Sequence, residues 1–332
     1  KLSSNENPYG ASPKAIELLE TKNINHDLHR YPEIDGSSLR EAIAKNFSID
    51  SNRIILGSGS DEVLLFAALA FCQDGDEILH ANHGFEMYSI VSKVVGAVPK
   101  KIMEDVNFNL NIENLIDQTN DATKVIYIAS PNNPTGTYLS RDQLVKLMNS
   151  ISKNIIVVID GAYVEYVQKD DYDKGFSLTD EYENIILTRT FSKTYGLAAL
   201  RVGWCYTSQK IADIINKIKP PFNTTTISQS LAIKALEDKE HIENSVKLNS
   251  EIKDWFEKEL KLLNIKTRQT EGNFTLIETS EEEAEKISNH LMNDGIIIRR
   301  LNSYNLPNFL RISIGTKEEM NLTVESLKKF NV

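Results

Sequence analysis

The chain contains 332 residues, of which 41% are hydrophobic and 25% are charged, as in ordinary globular proteins and unlike disordered ones. Its net charge of −10 argues against a protein that neutralises nucleic-acid phosphates. The longest purely apolar run, residues 63–72, is about half as long as a membrane-spanning helix, so neither nucleic acid nor a membrane is an expected partner.

The cysteines and histidines predict neither a disulfide nor a metal site. Cys72 and Cys205 are far apart in the sequence, and the first residues contain no apolar signal core, so a reduced, cytoplasmic protein is the default expectation. His80 and His83 could share a metal ion, but without a nearby cysteine or a second pair they are interpreted as polar residues at the edge of a loop.

Short apolar runs alternate with amphipathic segments in the first two thirds of the chain. Leu144, Leu147 and Met148, for example, lie on one stripe of a predicted helix. Buried strands joined by helices indicate an α/β fold with a mostly parallel sheet sandwiched by helices. Three of the apolar runs are rich in β-branched residues and have the length of a strand: residues 124–129, 154–159 and 184–188.

The last third of the chain predicts a smaller α+β lobe. Helical patterns dominate residues 227–263, and capping-box pairs predict further helix starts at Ser280 with Glu283 and at Thr316 with Glu319. Three strand candidates complete the lobe: residues 273–278, 296–300 and 309–313.

The length of the chain is too great for one simple core and predicts two lobes. Pro220-Pro221 predicts the boundary between them. The predicted units are an N-terminal segment associated with the small lobe (1–27), a large ligand-binding domain (28–221) and a small C-terminal domain (222–332).

Polar residues follow the apolar runs at the points where parallel strands would end. Ligands of open parallel sheets bind beyond the carboxyl ends of the strands. The predicted edge brings together an amide, an acid, a phenol, a lysine, an arginine and a glycine-rich turn. These groups come from five places in the chain: Gly57–Glu62, Ser130–Gly136, Asp160–Tyr163, Arg189–Lys193 and Arg201.

Each of these stretches has a simpler interpretation when it is taken alone. Gly57–Glu62 has Glu62 in place of the third glycine of GxGxxG and lacks the Lys-Ser/Thr pair of a P-loop. It is therefore either a helix-capping turn or a phosphate-binding helix N-terminus. Asp160 could cap a helix, Asn133 could be a turn residue and Lys193 could be solvated. Their combination favours one shared site.

The motifs Asn133-Pro-Thr-Gly136, Asp160-x-x-Tyr163 and Thr190-x-Ser-Lys193-x7-Arg201 have a characteristic order and spacing. In both respects the chain resembles the fold type I pyridoxal-phosphate aminotransferases. Five further motifs resemble those of the histidinol-phosphate aminotransferases within that superfamily: Ser4–Tyr9, Arg30–Glu33, Gly59–Glu62, Glu271–Phe274 and Leu310–Gly315.

The resemblance implies pyridoxal 5′-phosphate as the cofactor and Lys193, Asp160 and Tyr163 as catalytic residues. Lys193 would carry the cofactor covalently and then act as a general base. Asp160 would pair with the ring nitrogen and keep it protonated. Asn133 and Tyr163 would hydrogen-bond the 3-oxygen of the ring. Phe85 would stack on the ring, although a core aromatic is nearly as good an interpretation.

A cradle for the cofactor phosphate is also implied. It would combine two backbone N–H groups, two hydroxyls and a guanidinium, from Ser60, Asp61, Thr190, Ser192 and Arg201.

Tyr31 matches the family tyrosine that reaches this phosphate from the neighbouring subunit, which implies a homodimer with shared active sites. The alternative is a tyrosine at the rim of its own site.

Three residues are assigned to substrate binding by the same resemblance. Arg311 would bind the α-carboxylate of the amino donor or the phosphate of the substrate, with Arg299 assisting, and Asn7 would also contact the substrate. Arg300 competes with Arg299, because strand alternation lets only one of two adjacent residues face the pocket.

Two positions depart from the superfamily pattern. Gly161 occupies a position that often holds Glu, and Ala199 one that often holds Gly. Neither supplies a reacting group, so altered loop packing and altered substrate tolerance are expected.

The implied activity is amino-group transfer between L-histidinol phosphate and 2-oxoglutarate, in histidine biosynthesis. An aromatic amino-acid aminotransferase, or one enzyme serving both pathways, is the alternative. A nicotinamide dehydrogenase would leave Lys193 without a purpose. A non-catalytic pyridoxal-phosphate-binding protein would keep the cradle without turnover.

Overall fold

The computed structural model describes residues 1–21 and 29–330, and this part of the chain forms two β-sheets with helices packed around them. The larger sheet has the strand order β1-β7-β6-β5-β4-β2-β3. Its strands are parallel except for β7, which is antiparallel to both of its neighbours. The seven strands are β1 (Ile54–Gly57), β2 (Glu77–Ala81), β3 (Val98–Ile102), β4 (Thr123–Ala129), β5 (Ile156–Asp160), β6 (Ile185–Thr190) and β7 (Gly203–Thr207).

The three β-branched runs of the sequence coincide with β4, β5 and β6, which confirms the predicted α/β fold with a mostly parallel sheet. Both faces of these strands are covered. Val125 and Val158 belong to the core on one face, and Ile126 and Val157 to the core on the other. Burial on both sides explains why the runs are continuously apolar and do not alternate.

Helices cover both faces and one end of this sheet. They are α1 (Pro13–Glu20), α2 (Ser37–Phe47), α3 (Ser60–Phe71), α4 (Met87–Val94), α5 (Ile112–Asp117), α6 (Arg141–Ser150), α7 (Leu178–Glu181), α8 (Gln209–Ile218) and α9 (Thr226–Glu237). Helices α1, α2 and α9 share one apolar cluster with side chains of β1 and β7. Because α9 packs on the larger sheet, the lobe division after residue 221 stays a prediction.

The smaller sheet is antiparallel and has the order β10-β11-β9-β8. Helices α10 (Lys239–Leu262), α11 (Glu281–Asn293) and α12 (Lys317–Phe330) pack on it. Its strands are β8 (Lys266–Arg268), β9 (Phe274–Glu278), β10 (Arg299–Leu301) and β11 (Leu306–Ser313), in an α+β arrangement that follows the sequence pattern.

Strand β10 begins three residues later than the sequence pattern predicts. The backbone N–H of Ile296 donates to Leu291 at the end of α11, and the carbonyl of Ile297 accepts from the N–H of Leu2. These backbone groups are therefore used by the helix end and by the N-terminal segment, and pairing with β11 starts at Arg299.

The two predicted capping boxes differ in completeness. Thr316 and Glu319 exchange both hydrogen bonds, whereas the side chain of Ser280 accepts from the N–H of Glu283 without the reciprocal contact.

Among the described residues, no helix is both long and apolar enough to cross a membrane, and no cluster of three potential metal ligands occurs.

Candidate active site

A cavity of about 200 Å³ lies beyond the carboxyl ends of β4, β5 and β6. Because parallel strands end at the same edge, residues that are far apart in the sequence meet there. Ten of the residues predicted for the site line this cavity: Ser60, Asp61, Phe85, Asn133, Asp160, Tyr163, Thr190, Ser192, Lys193 and Arg201.

Asp160 is the last residue of β5 and is 4% exposed. The hydroxyl of Tyr88 donates to its Oδ2 at 2.9 Å, and that of Thr188 donates to its Oδ1, also at 2.9 Å. Burial raises the pKa of this carboxyl, and the two hydrogen bonds oppose the rise. A cationic group in the cavity would stabilise the carboxylate further. Neither Tyr88 nor Thr188 was predicted for the site, because neither belongs to a motif.

Lys193 follows β6 and turns its amine toward the N-terminal segment. Nζ donates to the backbone carbonyl of Ser4 at 3.2 Å and lies 5.6 Å from the ring centre of Tyr163. The phenol of Tyr163 accepts a hydrogen bond from Nδ2 of Asn5 at 3.0 Å. Asn5 belongs to the opening motif, but its contact with a residue 158 positions away cannot be deduced from the motif alone.

The N-terminus of α3 and the side chain of Arg201 form one wall of the cavity. Helix α3 starts at Ser60, and its N-cap residue, Gly59, provides no side-chain hydrogen bond, so the N–H groups of the first turn are available to an anion. Nη1 of Arg201 lies 3.3 Å from Oγ of Ser192, and Nη2 lies 3.1 Å from Oδ2 of Asp61. Gly59 has a φ of 81°, which favours glycine, and a Cβ there would be 2.4 Å from Nη2 of Arg201.

These residues fit pyridoxal phosphate. The helix N-terminus and Arg201 suit a phosphate, the buried Asp160 suits a protonated ring nitrogen, and the amine of Lys193 suits an aldehyde. Phe85 lines the cavity, and its ring centre is 5.9 Å from that of Tyr88 in an edge-on contact; stacking on the cofactor ring stays a prediction.

Arg311, on β11, connects the smaller sheet to this cavity. It is 5% exposed; Nη1 donates to Oδ1 of Asn133, and Nη2 donates to the carbonyl of Ser3 at 2.7 Å. Among the described residues, its buried Nε has no hydrogen-bond partner. The guanidinium therefore retains a donor for an anion.

The register of the smaller sheet distinguishes Arg299 from Arg300. Arg299 lies directly opposite Arg311 in the antiparallel pair, so both side chains are on the same face of the sheet. Arg300 points to the other face, where its guanidinium is 3.8 Å from Glu285. Arg299 is thus the better placed of the two, and its role in substrate binding stays a prediction.

Asn7 and Tyr31, like Arg299 and Arg311, do not line the cavity. Asn7 is buried, and its amide donates to the carbonyl of Thr194 at 2.8 Å and to Ser245, so it holds the loop that carries Lys193. Tyr31 is 81% exposed and stacks on Phe222 with ring centres 4.6 Å apart. Contact of Asn7 with substrate and of Tyr31 with the cofactor stay predictions.

Gly161 is one of the two positions that depart from the superfamily pattern, and its missing side chain leaves space for a buried guanidinium. A Cβ at this position would be 2.1 Å from Nη1 of Arg189, which is 4% exposed and donates to the carbonyl of Thr188 at 2.7 Å. Nη2 of the same guanidinium donates to the carbonyl of Lys174. Burial raises the pKa of Glu165, and the charge of Arg189 opposes that rise. Packing therefore favours glycine at this position.

Replacing Gly161 by alanine is expected to destabilise the protein by about 1–3 kcal/mol, because the guanidinium of Arg189 cannot move without losing hydrogen bonds to two carbonyls. Urea denaturation measures the change. Ala199→Gly, at the other departure, is the control: Ala199 is exposed, and a change below about 1 kcal/mol is expected. Equal effects of the two substitutions would contradict the packing explanation.

Comparison with known proteins agrees with this geometry. The family model described as aminotransferase class I and II matches residues 1–327. The chain belongs to this family. It is also 40% identical over 331 residues to the histidinol-phosphate aminotransferase of Dinoroseobacter shibae and 39% identical over 337 residues to that of Pelagibacter ubique. These matches cover 99% and 100% of this chain, and 90% and 92% of the relatives.

Solved structures of aminotransferases share the fold. A histidinol-phosphate aminotransferase from Sinorhizobium meliloti, in complex with pyridoxal-5′-phosphate, superposes with a TM-score of 0.91 at 23% identity over 99% of this chain and 91% of that one. The aromatic aminotransferase from Pyrococcus horikoshii gives 0.83 at 23% identity over 99% and 94%. The protein is accordingly a pyridoxal-phosphate-dependent aminotransferase of fold type I, and histidinol-phosphate aminotransferases are among its relatives.

Proposed function

We propose that this aminotransferase transfers the amino group of L-histidinol phosphate to 2-oxoglutarate, forming imidazole acetol phosphate and glutamate in histidine biosynthesis. Amino transfer is supported by the placement of Lys193 and the buried Asp160 in one cavity. The choice of donor is supported by relatives of that name that are 36–40% identical over 98–100% of the chain.

Pyridoxal phosphate, when bound, supplies the aldehyde that captures an amine and the ring that accepts electrons from the substrate. The chain's own residues hold and move the protons. The carboxylate of Asp160 would pair with the ring nitrogen and keep it protonated. Asn133 and Tyr163 orient the 3-oxygen. The amine of Lys193 would remove the proton from Cα of the donor and deliver it to C4′ of the cofactor.

The anion of the substrate belongs at Arg311. Its guanidinium is fixed by Asn133 and by the carbonyl of Ser3, and Nε remains to donate. A preorganised fork of N–H groups suits both the phosphate of histidinol phosphate and the α-carboxylate of glutamate, which must use the site in turn. Arg299, on the same face, adds positive charge.

Steady-state kinetics test the donor. L-Histidinol phosphate and L-phenylalanine are compared with 2-oxoglutarate as the acceptor. We expect kcat/KM for histidinol phosphate to be larger by about 100-fold, because its phosphate carries more negative charge than the α-carboxylate of phenylalanine and makes more charge-assisted hydrogen bonds with Arg311 and Arg299. A large preference for phenylalanine would show an aromatic aminotransferase, and comparable values would show an enzyme that serves both pathways.

We further propose a cytoplasmic homodimer in which Tyr31 serves the cofactor phosphate of the partner. The exposed ring of Tyr31, stacked on the half-buried Phe222, supports this proposal, because a large exposed aromatic side chain is typical of a surface that another protein covers.

Subunit mixing tests the role of Tyr31. Lys193→Met and Tyr31→Ala protomers are unfolded, mixed and refolded together. If Tyr31 acts in the neighbouring site, half of the dimers are hybrids with one intact site, and about a quarter of wild-type activity returns. A mixture no more active than the average of the two parent variants would place Tyr31 at its own site.

A further inference from the structure

The N-terminal segment runs along the cavity and contacts first Arg311 and then Lys193 through its backbone carbonyls. Leu2 is tied to β11 by a backbone hydrogen bond from Ser313 at 2.9 Å. The carbonyl of Ser3 then accepts from Arg311, and that of Ser4 accepts from Lys193. Along this segment, the anion-binding guanidinium therefore comes first and the reacting amine second.

Side chains of the same segment alternate between the protein interior and the cavity. Asn5 and Asn7 are buried, whereas Ser4 and Glu6 line the cavity. The amide of Asn273 donates to the carbonyl of Asn5 at 3.0 Å and to that of Glu6 at 3.4 Å, which fixes the backbone at this point. The backbone at Glu6 is thus fixed at a point where this residue lines the cavity.

Glu6 is one of three carboxylates that line the cavity, and its ion partner lies outside the cavity lining. The other two, Asp160 and Asp61, are engaged by buried hydroxyls and by Arg201, respectively. Among the described residues, the ion partner of Glu6 is Lys1, at 2.7 Å, and both side chains are about half exposed. Such exposed pairs contribute little, so a substrate group can replace Lys1 at small cost.

We propose that Glu6 is a specificity residue that accepts a hydrogen bond from the imidazole ring of the donor; this proposal rests on the proposed function. In histidinol phosphate the phosphate and the ring lie on opposite sides of the carbon that bears the amine. With the phosphate at Arg311 and that carbon at Lys193, the ring lies beyond Ser4, where Glu6 follows. An imidazole N–H is a donor, neutral or protonated, and a carboxylate is the matching acceptor.

Two donors that differ in the ring alone test the proposal: L-histidinol phosphate and L-phenylalaninol phosphate. In Glu6→Gln, kcat/KM for the imidazole donor is expected to fall about tenfold while that for the phenyl donor stays within about twofold, as for a partly solvated charged hydrogen bond. Lys1→Ala is the matched control. It breaks the same ion pair but keeps the carboxylate. The ratio of kcat/KM for the imidazole donor to kcat/KM for the phenyl donor should therefore stay at or above its wild-type value.

Equilibrium binding gives a readout that does not depend on turnover. Imidazole acetol phosphate carries a ketone and no amine, so its binding to the pyridoxal-phosphate form can be measured by calorimetry. Its Kd is expected to rise about tenfold in Glu6→Gln and to stay at or below the wild-type value in Lys1→Ala. If Glu6→Gln changes neither this Kd nor the ratio of kcat/KM for the two donors, the role of Glu6 is overturned while the proposed function stands. A wild-type enzyme without activity on histidinol phosphate would overturn the proposed function, and the role of Glu6 with it.

Discussion

Replacing Lys193 by methionine is expected to lower kcat by about 10⁴-fold or more, because one amine both attaches the cofactor and moves the substrate proton. Methionine has a similar length and no amine, so the shape of the cavity is largely kept. Single-turnover absorbance measurements with glutamate as the donor give the rate. Borohydride reduction followed by mass spectrometry gives the second readout, since the variant should no longer be labelled covalently.

Lys210→Met is the matched control for this experiment, because Lys210 is exposed on α8 and remote from the cavity lining. It should be labelled at Lys193 and retain wild-type rates. Transamination by Lys193→Met at a rate near that of the wild type would overturn the assignment of Lys193 and, with it, the mechanism.

Asp160→Asn is expected to lower kcat/KM by about 10²–10³-fold, as when one member of a buried charge pair is removed, since an amide cannot hold a proton on the ring nitrogen. The same substitution should not destabilise the cofactor-free protein. Burial raises the pKa of Asp160, so the folded state disfavours the ionised carboxylate and the fold loses stability as the pH rises through that raised value.

The melting temperature of cofactor-free Asp160→Asn, minus that of the wild type, should therefore increase from pH 4.5 to pH 8. At the lower pH the wild-type carboxyl is closer to neutral, as the amide always is. Thermal scans of both proteins across this range measure the difference. A difference that falls as the pH rises would mean that Asp160 is stabilised as a carboxylate by the fold alone, without the cofactor.

The sequence was sufficient to predict which residues follow the strands and line the cavity, because the carboxyl ends of parallel strands meet at one edge of the sheet. Asp160 ends β5 and Lys193 follows β6, so both could be assigned to the cavity before any contact was known. The hydroxyl partners of Asp160 were not predictable in this way. Tyr88 reaches it from α4, 72 positions earlier in the chain, and only the packing of that helix on the sheet brings the two together.

The sequence did not predict the register of β10 against β11, which decides which arginine faces the substrate. The choice between Arg299 and Arg300 depends on which residue of β10 pairs with Arg311, and the backbone groups of residues 296–298 are shared with α11 and the N-terminal segment. Alternation identified the two alternatives, but the starting residue of the strand is set by tertiary hydrogen bonds. Local pattern alone therefore left the question open.

The contacts made by residues 3–6 differ in kind, and this has an evolutionary consequence. Ser3 and Ser4 meet Arg311 and Lys193 through main-chain oxygens, which nearly any amino acid provides, whereas Asn5 uses its amide. Substitutions at Ser3 and Ser4 should therefore be tolerated, while Asn5 should be retained across orthologues. Position 6 should vary in step with the donor, which would make it a place where duplicated copies of such a gene could diverge toward new amines.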